Sequence, residues 1–216
     1  MLRVDRLDVA LQSVGILREV SLAAASGRFV GLIGRNGAGK TTLMRAIMGI
    51  LPWRAGAIEF DGQSLAGVAA HARARLGIGY MPEDRRLIPA FTVEENVLLP
   101  AWAVRAADAH ARLERVYSLI PEVGAAARRH AQQLSGGQQK LVALARALMC
   151  GDKLLLLDEP FEGVAPVLAR RLADVIAGLR RAGLTVVLAE SSLGHVRELL
   201  DDVFVIDRGA VTCVRA

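Results

Sequence analysis

The chain has 216 residues, is 53% hydrophobic and carries a formal net charge of +5. That length suits one domain with a full core, and the sequence lacks the run of about eighteen uninterrupted apolar residues that a membrane-spanning helix requires. Basic residues are spread along the chain without a Lys/Arg block, which indicates a solvated surface and argues against a nucleic-acid partner. The N-terminal segment lacks a signal-peptide core, which predicts cytoplasmic residence, and Cys150 and Cys213 form no disulfide framework.

The first predicted elements along the chain are two strands, and a helix follows the second of them. LRVDRLDVAL alternates apolar and polar residues, whereas FVGLIG (Phe29 to Gly34) is an unbroken apolar run typical of a parallel strand covered on both faces. A glycine-rich loop then leads into LMRAIMGI, which we interpret as a helix. Beyond it, IEFDG predicts a turn at Asp61-Gly62.

The middle and C-terminal parts complete an α/β pattern. Residues 86–150 are predicted to be mostly helical and to contain no strand. KLLLLD and LTVVLAE are apolar runs on either side of VLARRLADVIAGLRRAG, a predicted helix with Gly183 as its stop, so the three segments predict a βαβ unit. VFVIDRGAVTCV predicts a hairpin around Arg208-Gly209, which we expect to join the N-terminal strands in an antiparallel sheet.

The sequence therefore predicts an α/β fold with a mostly parallel core sheet, an antiparallel β subdomain and a helical insertion. We expect a single domain over residues 1–216. Within it, the core and the antiparallel strands are expected at about residues 1–85 and 151–216, and the helical subdomain at about residues 86–150.

The segment GRNGAGKT matches the phosphate-binding pattern G-x-x-x-x-G-K-[ST] between a predicted strand and a predicted helix. The glycines allow backbone N–H groups to face phosphate oxygens, and the helix N-terminus adds partial positive charge. Lys40 would neutralise the β- and γ-phosphates, the Thr41 hydroxyl would bind Mg²⁺, and Thr42 would reach the α-phosphate. The residues expected at the nucleotide are Gly34, Asn36, Gly37, Ala38, Gly39, Lys40, Thr41 and Thr42.

The segment LLLLDEP supplies the carboxylates that such a loop needs. Asp158, at the end of a buried strand, would hold Mg²⁺ directly or through water, and Glu159 would act as the general base that activates the attacking water. An acidic pair at a strand end is a weak signal alone, but together with the loop it predicts hydrolysis of ATP or GTP.

The segment LSGGQQK contains a second glycine-rich turn. Ser135 and Gln138 form a capping box, which predicts a helix start, but Gly136 and Gly137 weaken the first turn by about 1 kcal/mol each relative to alanine. Glycines leave the N–H groups of a helix N-terminus open to an anion, so we expect a second phosphate site here. If the two sites cannot meet within one chain, two chains would associate head to tail around the nucleotide.

These motifs, in this order and spacing, resemble those of the nucleotide-binding subunit of ABC transporters, and the resemblance covers essentially the whole chain. It implies a P-loop NTPase core of the RecA-like type, with ATP and Mg²⁺ as cofactors. It also implies an ATP-sandwich dimer, with itself or with a second ATPase subunit, on the cytoplasmic face of the inner membrane. Transmembrane permease subunits would be direct partners, and a periplasmic solute-binding protein an indirect one.

Local segments refine this resemblance. PEDRR, TVEEN and DEPFEGVAP are similar to segments of one ATPase subunit of branched-chain amino-acid importers, and urea and amide importers are close alternatives. Glu83 aligns with a family glutamine, which implies a residue near Mg²⁺ and the attacking water, and the loop after it would receive a helix of the membrane subunit. The alternative for Glu83 is a surface acid in a turn after Pro82. Thr92 and Glu95 predict a helix start by the same capping rule.

Two positions depart from the family. Leu11 stands where an aromatic residue usually stacks on adenine, which leaves GTP open, and Ser191 stands where a histidine or glutamine contacts the γ-phosphate. His195 could take over that contact. The departures raise two further alternatives: a subunit that binds ATP but hydrolyses it weakly, and an ABC ATPase that serves no transporter.

Overall fold

The computed structural model describes residues 1–194 and 196–214, so His195 lies outside the described residues. Its strands are β1 (Leu2–Leu11), β2 (Val14–Ala24), β3 (Phe29–Ile33), β4 (Ala55–Phe60), β5 (Gln63–Ser64), β6 (Ile78–Met81), β7 (Leu154–Asp158), β8 (Thr185–Glu190), β9 (Asp202–Asp207) and β10 (Ala210–Val214). Its α-helices are α1 (Lys40–Ile47), α2 (Ala70–Arg75), α3 (Val93–Val104), α4 (Ala109–Leu119), α5 (Pro121–Ala125), α6 (Gly136–Leu148) and α7 (Pro166–Arg181).

The central sheet has the strand order β10-β9-β3-β8-β7-β6, and all neighbours pair in parallel except β9 and β10. A second, antiparallel sheet has the order β2-β1-β4-β5. The α/β prediction is thereby confirmed, and the unit β7-α7-β8 forms as expected, with Gly183 in the left-handed region after the end of α7.

Two details of the strand prediction were wrong or incomplete. The C-terminal hairpin belongs to the central sheet and not to the antiparallel one, because β9 pairs in parallel with β3 and the hairpin thereby extends the core edge. Strand β6 was not predicted, because it has only four residues and one of them is Gly79. The predicted turn at Asp61-Gly62 connects β4 to β5, and both of its residues have positive φ.

Each face of the central sheet contributes to a different hydrophobic core. Successive strand side chains point to opposite faces, so Leu154 and Leu156 pack with α1 and the antiparallel sheet, while Leu155 and Leu157 pack with α3 to α7. In β8 the even-numbered residues Val186 and Leu188 face the second of these cores. The same alternation decides which face of the sheet the polar residue at the end of each strand occupies.

The first helix of the helical region, α3, begins at a capping motif formed by residues close together in the sequence. Thr92 caps α3, and its box with Glu95 forms as predicted. Asn96 is fully buried, where its amide donates to the carbonyls of Ile88, Phe91 and Thr92 and accepts from the Ile88 N–H. These bonds fasten the loop before α3. No helix in the described ranges combines the length and the apolar character needed to cross a membrane.

Arg73 fastens the end of α1 to α2. Its guanidinium is 2% exposed and donates to the carbonyls of Ala46, Ile47, Leu65 and Val68 at 2.6 to 3.0 Å, and it lies over the Trp53 ring. The Ala46 and Leu65 carbonyls also accept from backbone N–H groups, whereas Arg73 is the one described donor to the carbonyls of Ile47 and Val68. Because carbonyls at a helix C-terminus lack partners within the helix, this side chain satisfies an acceptor at the end of α1.

We expect Arg73→Met to lower the free energy of unfolding by about 3 kcal/mol, since it removes four hydrogen bonds and leaves the carbonyls of Ile47 and Val68 without a described donor. Arg75→Met, an exposed change in the same helix, should stay within about 0.5 kcal/mol of the wild type. Urea denaturation followed by circular dichroism measures both. Equal stability of the two variants would contradict the role assigned to Arg73.

Candidate functional site

The predicted site residues follow the carboxyl ends of neighbouring parallel strands. β3 leads into the glycine-rich loop, β7 ends at Asp158, β8 ends at Glu190 and β6 leads to Glu83. The Gly34 N–H donates to the Glu190 carbonyl at 3.0 Å, which ties the start of the loop to the end of β8. One edge of the sheet therefore carries the candidate site, as is typical of open α/β sheets.

The shape of the first loop depends on its glycines. Gly37 and Gly39 have φ of 79° and 115°, which favours glycine, and a Cβ on Gly34 would lie 2.3 Å from the carbonyl oxygen of Ile206. Helix α1 begins directly after Gly39 and has no side-chain cap. Its first N–H groups are therefore free of intrahelical partners.

A pocket of about 310 Å³ lies against this loop. It gathers nine of the predicted residues together with Ile16; the lining is Leu11, Ile16, Asn36, Gly37, Gly39, Lys40, Thr41, Thr42, Glu83 and Glu159. Gly34 and Ala38 are buried and do not line it: the Gly34 carbonyl accepts from Lys40, and the Ala38 N–H donates to the Arg35 carbonyl at 3.1 Å. The structure thus places Leu11 and Glu83 beside the first glycine-rich loop.

Lys40 is 3% exposed, and its ammonium group has three acceptors. The Nζ atom lies 2.6 Å from the Gly34 carbonyl, 3.1 Å from the Arg35 carbonyl and 2.9 Å from Oε1 of Glu159. An ammonium group donates three hydrogen bonds, so its capacity is used within the chain.

Asp158 is fully buried between two hydroxyl groups. The Thr41 hydroxyl donates to Oδ1 at 3.2 Å and the Tyr80 hydroxyl to Oδ2 at 3.1 Å. Burial raises the pKa of Asp158, and these two hydrogen bonds oppose the rise. Thr41 and Asp158 thus present adjacent oxygen atoms, the ligand type that Mg²⁺ prefers, and the site fits the ion on this ground.

Glu159 is buried and has a left-handed backbone with φ of 48°. Its Oε2 atom is buried without a hydrogen-bond partner among the described residues. Burial would raise the pKa of Glu159, but the hydrogen bond and the charge of Lys40 outweigh it, so the pKa lies below its usual value. A charged carboxylate with one unused oxygen can accept a proton from a nearby group.

Three carboxylates meet at the rim of the pocket. Oxygen atoms of Glu83, Glu159 and Glu162 lie within 4.8 Å of one another, and Glu83 and Glu162 are exposed. The side-chain interaction with the Glu159 carboxyl raises the pKa of Glu162, and burial and the charges of Glu159 and Glu83 add to the rise. Glu83 occupies a turn after Pro82, as expected for a surface acid. It also lines the pocket, as expected for a residue near Mg²⁺ and the attacking water.

The second glycine-rich turn starts α6, and its capping box between Ser135 and Gln138 forms as predicted. Gly137 has a reason that the sequence did not reveal: a Cβ there would lie 1.8 Å from Cδ2 of Leu168 in α7. A larger residue at Gly137 would displace the end of the Leu168 side chain, so packing contributes to the preference for a small residue here. None of residues 134–138 lines the pocket beside Lys40.

Ser191 is exposed and follows Glu190 directly, so it lies at the same sheet edge as Gly34. It is absent from the described lining of the pocket. The substitute considered for it, His195, lies outside the described residues.

Four side chains near the site were missed by the sequence analysis: Ile16, Tyr80, Lys140 and Glu190. Glu190 is 6% exposed and its Oε1 atom accepts from the Phe161 N–H at 3.0 Å. Burial raises the pKa of Glu190 to about 7. An acid that ends the apolar run LTVVLAE is a signal that could have drawn attention to it, whereas the contacts of Lys140 and Tyr80 depend on the folded chain.

Comparisons with known proteins agree with this geometry. Residues 17–162 match the family model described as ABC transporter. The high-affinity branched-chain amino acid transport ATP-binding protein BraG of Pseudomonas aeruginosa is 35% identical over 98% of this chain and 91% of its own length. The lipopolysaccharide export system ATP-binding protein LptB of Escherichia coli K12 is 35% identical over 90% of this chain and 81% of its own. The ADP conformation of the ABC transporter cassette MJ1267 superposes with a TM-score of 0.87 at 26% identity, over 100% of this chain and 91% of that one.

The raised pKa of Glu190 makes a prediction about stability. Its pKa is about 7 in the folded chain against an ordinary 4.5, so between these values the folded state keeps a proton that the unfolded state loses. The stabilisation is complete below about pH 4.5 and is lost as the pH rises through about 7, with an upper bound of about 3 kcal/mol.

We therefore expect the wild type to lose more stability than Glu190→Gln between about pH 5 and pH 8, because glutamine does not titrate. Urea denaturation at several pH values measures the difference between the two proteins, in which all other titrating groups cancel. A pH-independent difference would contradict the prediction.

Proposed function

This chain belongs to the family of ABC transporter ATP-binding proteins, which are transport-coupled ATPases, and we propose that it energises an importer of branched-chain or other hydrophobic amino acids. The observation that carries the choice of substrate is the similarity to BraG, which extends over 98% of the chain. LptB matches at the same identity over 90%, so an exporter is the competing assignment. The segments PEDRR, TVEEN and DEPFEGVAP favour the importer.

ATP would bind in the pocket beside the first loop. Backbone N–H groups of the loop and of the first turn of α1, together with Lys40, would hold its phosphates, and Leu11 and Ile16 would provide apolar contact for the base. Thr41 and Asp158 would hold Mg²⁺, with Glu83 at the rim. When bound, the ion would supply positive charge that offsets the negative charge developing on the phosphates.

Glu159 is proposed as the general base. Its lowered pKa keeps it charged, and Oε2 has no competing hydrogen bond among the described residues. Its Oε1 atom is paired with Lys40, which is also the proposed phosphate contact. Phosphate oxygens would compete for the ammonium group and free the carboxylate to accept a proton from water. Ser191, at the end of β8, would hydrogen-bond the terminal phosphate.

The second turn is proposed to complete the site of another copy or of a second ATPase subunit. The N–H groups of Gly136 and Gly137 begin α6 and have no acceptor within the helix, which favours an anion there. Because this turn does not line the pocket of its own chain, the anion would be the terminal phosphate on the neighbouring subunit. ATP would then hold the dimer closed, and hydrolysis would release it.

A groove of about 270 Å³ is proposed to receive a cytoplasmic helix of a permease subunit. It is lined mainly by apolar residues, including Met48, Ile50, Pro82 and Pro100, with Arg86 and Arg146 at its polar side. Pro82 precedes Glu83 in the chain, so helix docking and the nucleotide pocket share one loop. The proposed location is the cytoplasmic face of the inner membrane.

We expect Glu159→Gln to bind ATP but to hydrolyse it at least ~100-fold more slowly, since glutamine cannot accept the proton. With ATP and Mg²⁺, the variant should accumulate as a closed dimer, measured by light scattering after size-exclusion chromatography. Glu59→Gln, the same change on an exposed strand, is the matched control and should behave as the wild type. Wild-type turnover by Glu159→Gln would show that another group is the base.

The same assay distinguishes the active ATPase from the second candidate function, a subunit that binds ATP but scarcely hydrolyses it. Leu11 and Ser191 motivate this candidate, because neither can make the ring stacking or the longer contact found in the family. A wild-type rate close to that of Glu159→Gln would favour it over the active enzyme.

Deletion of the gene should abolish uptake of radiolabelled leucine, isoleucine and valine by the source cells, and the intact gene should restore it. A Lys40→Met copy should fail to restore uptake because it lacks the phosphate contact. Uptake of urea or acetamide in the same cells tests the amide-importer alternative. Retained leucine uptake with loss of lipopolysaccharide export would overturn the importer assignment.

A further inference from the structure

We propose that Lys140 is a positioning residue for ATP hydrolysis: from helix α6 it holds the left-handed peptide of Glu159, and thereby the direction in which the Glu159 carboxylate points. The proposal rests on the proposed role of Glu159 as the general base. It connects the helix that begins with the second glycine-rich turn to the catalytic carboxylate of the same chain.

The backbone at Glu159 requires outside support. Its φ of 48° lies in the left-handed region, which residues with a Cβ rarely adopt unless surrounding contacts fix it. Pro160 follows and has no N–H group to contribute to a local hydrogen bond. The turn has one local hydrogen bond, from the Glu162 N–H to the Glu159 carbonyl at 3.3 Å, and contacts from other elements supply the rest of its support.

Three contacts surround the turn. The Glu159 N–H donates to the Ala189 carbonyl in β8 at 3.0 Å, and the Phe161 N–H donates to Oε1 of Glu190 at 3.0 Å. The Glu159 carbonyl, which accepts the weaker local bond from Glu162, also accepts from Nζ of Lys140 at 2.5 Å. Two contacts come from β8, and only the Lys140 contact among these three comes from α6.

The environment of Lys140 is unusual for a lysine. The residue is 5% exposed, its pKa is lowered by burial, and it forms no ion pair with a carboxylate in the described part of the chain. Burying an ammonium group is costly unless the group is hydrogen-bonded. The acceptor of its hydrogen bond is a main-chain carbonyl, so the side chain supports a backbone conformation and does not balance a charge at contact distance.

Strand alternation explains why Lys140 and Glu190 approach the turn from the same side. Val186 and Leu188 face the core formed with α3 to α7, and Glu190 continues this face of β8. Leu141 and Leu144 of α6 pack into that same core. Helix α6 therefore packs on the same side of the sheet as Glu190, and the long Lys140 side chain reaches the Glu159 carbonyl from there.

The test compares three single variants. Lys140→Met removes the donor, Lys140→Gln keeps a neutral donor on a side chain of the same length as methionine, and Lys153→Met is the matched control. Lys153 is exposed and pairs with Asp61. Steady-state hydrolysis gives kcat and KM, and equilibrium binding of a fluorescent ATP analogue gives Kd.

We expect kcat of Lys140→Met to fall by about 10- to 100-fold, the loss typical of a misplaced catalytic group, with Kd within about 2-fold of the wild type. Lys140→Gln should retain several-fold more activity than Lys140→Met. Lys153→Met should match the wild type. Wild-type kcat in Lys140→Met, or equal losses in the methionine and glutamine variants, would overturn the proposal.

A double variant controls for general damage to the fold. If Lys140 acts through Glu159, adding Lys140→Met to Glu159→Gln should lower kcat no further, whereas a further loss of the same size would show that Lys140 acts elsewhere. Absence of ATPase activity in the wild type would count against the proposed function itself. Activity in the wild type with an unaffected Lys140→Met would count only against the positioning role.

Discussion

The buried pair of Lys40 and Glu159 is the interaction on which the site depends. The ammonium group is almost fully removed from solvent and is tolerated because two loop carbonyls and one carboxylate surround it. Burial of an unpaired charge would destabilise the folded chain, so removal of either Lys40 or Glu159 would leave the other as a costly buried charge. In the proposed mechanism the phosphate contact and the proton acceptor neutralise each other when no nucleotide is bound, and one binding event separates them.

The central sheet distributes the other polar groups around this pair. Asp158 continues the face of β7 that packs on α1, which explains its contact with Thr41, while Glu190 continues the opposite face of its own strand. Two acids at neighbouring strand ends therefore have different partners. This separation lets one carboxylate face the proposed metal and the other support a turn of the backbone.

Local features of the sequence were sufficient for much of this arrangement. The capping boxes that begin with Thr92 and Ser135 need residues only three positions apart, and the first loop is recognised from eight consecutive residues. Features that depend on contacts distant in sequence were not accessible: the parallel pairing of β9 with β3, and the bond from Lys140 to the Glu159 carbonyl. The close approach of Leu168 to Gly137 belongs to the same class, because periodicity cannot reveal which side chain fills a given space.

The alternation along β7 has a consequence for how the gene can vary. Leu154 and Leu156 share their face with Asp158, and Leu155 and Leu157 occupy the other. An insertion or deletion of one residue within this strand would move Asp158 to the opposite face of the sheet, away from Thr41, even if the residues of the motif were unchanged. The number of residues in β7 before Asp158 and Glu159 is therefore as important for the site as the two acids themselves. In this strand, we expect exchange among Leu, Ile and Val to be tolerated far more readily than a change of length.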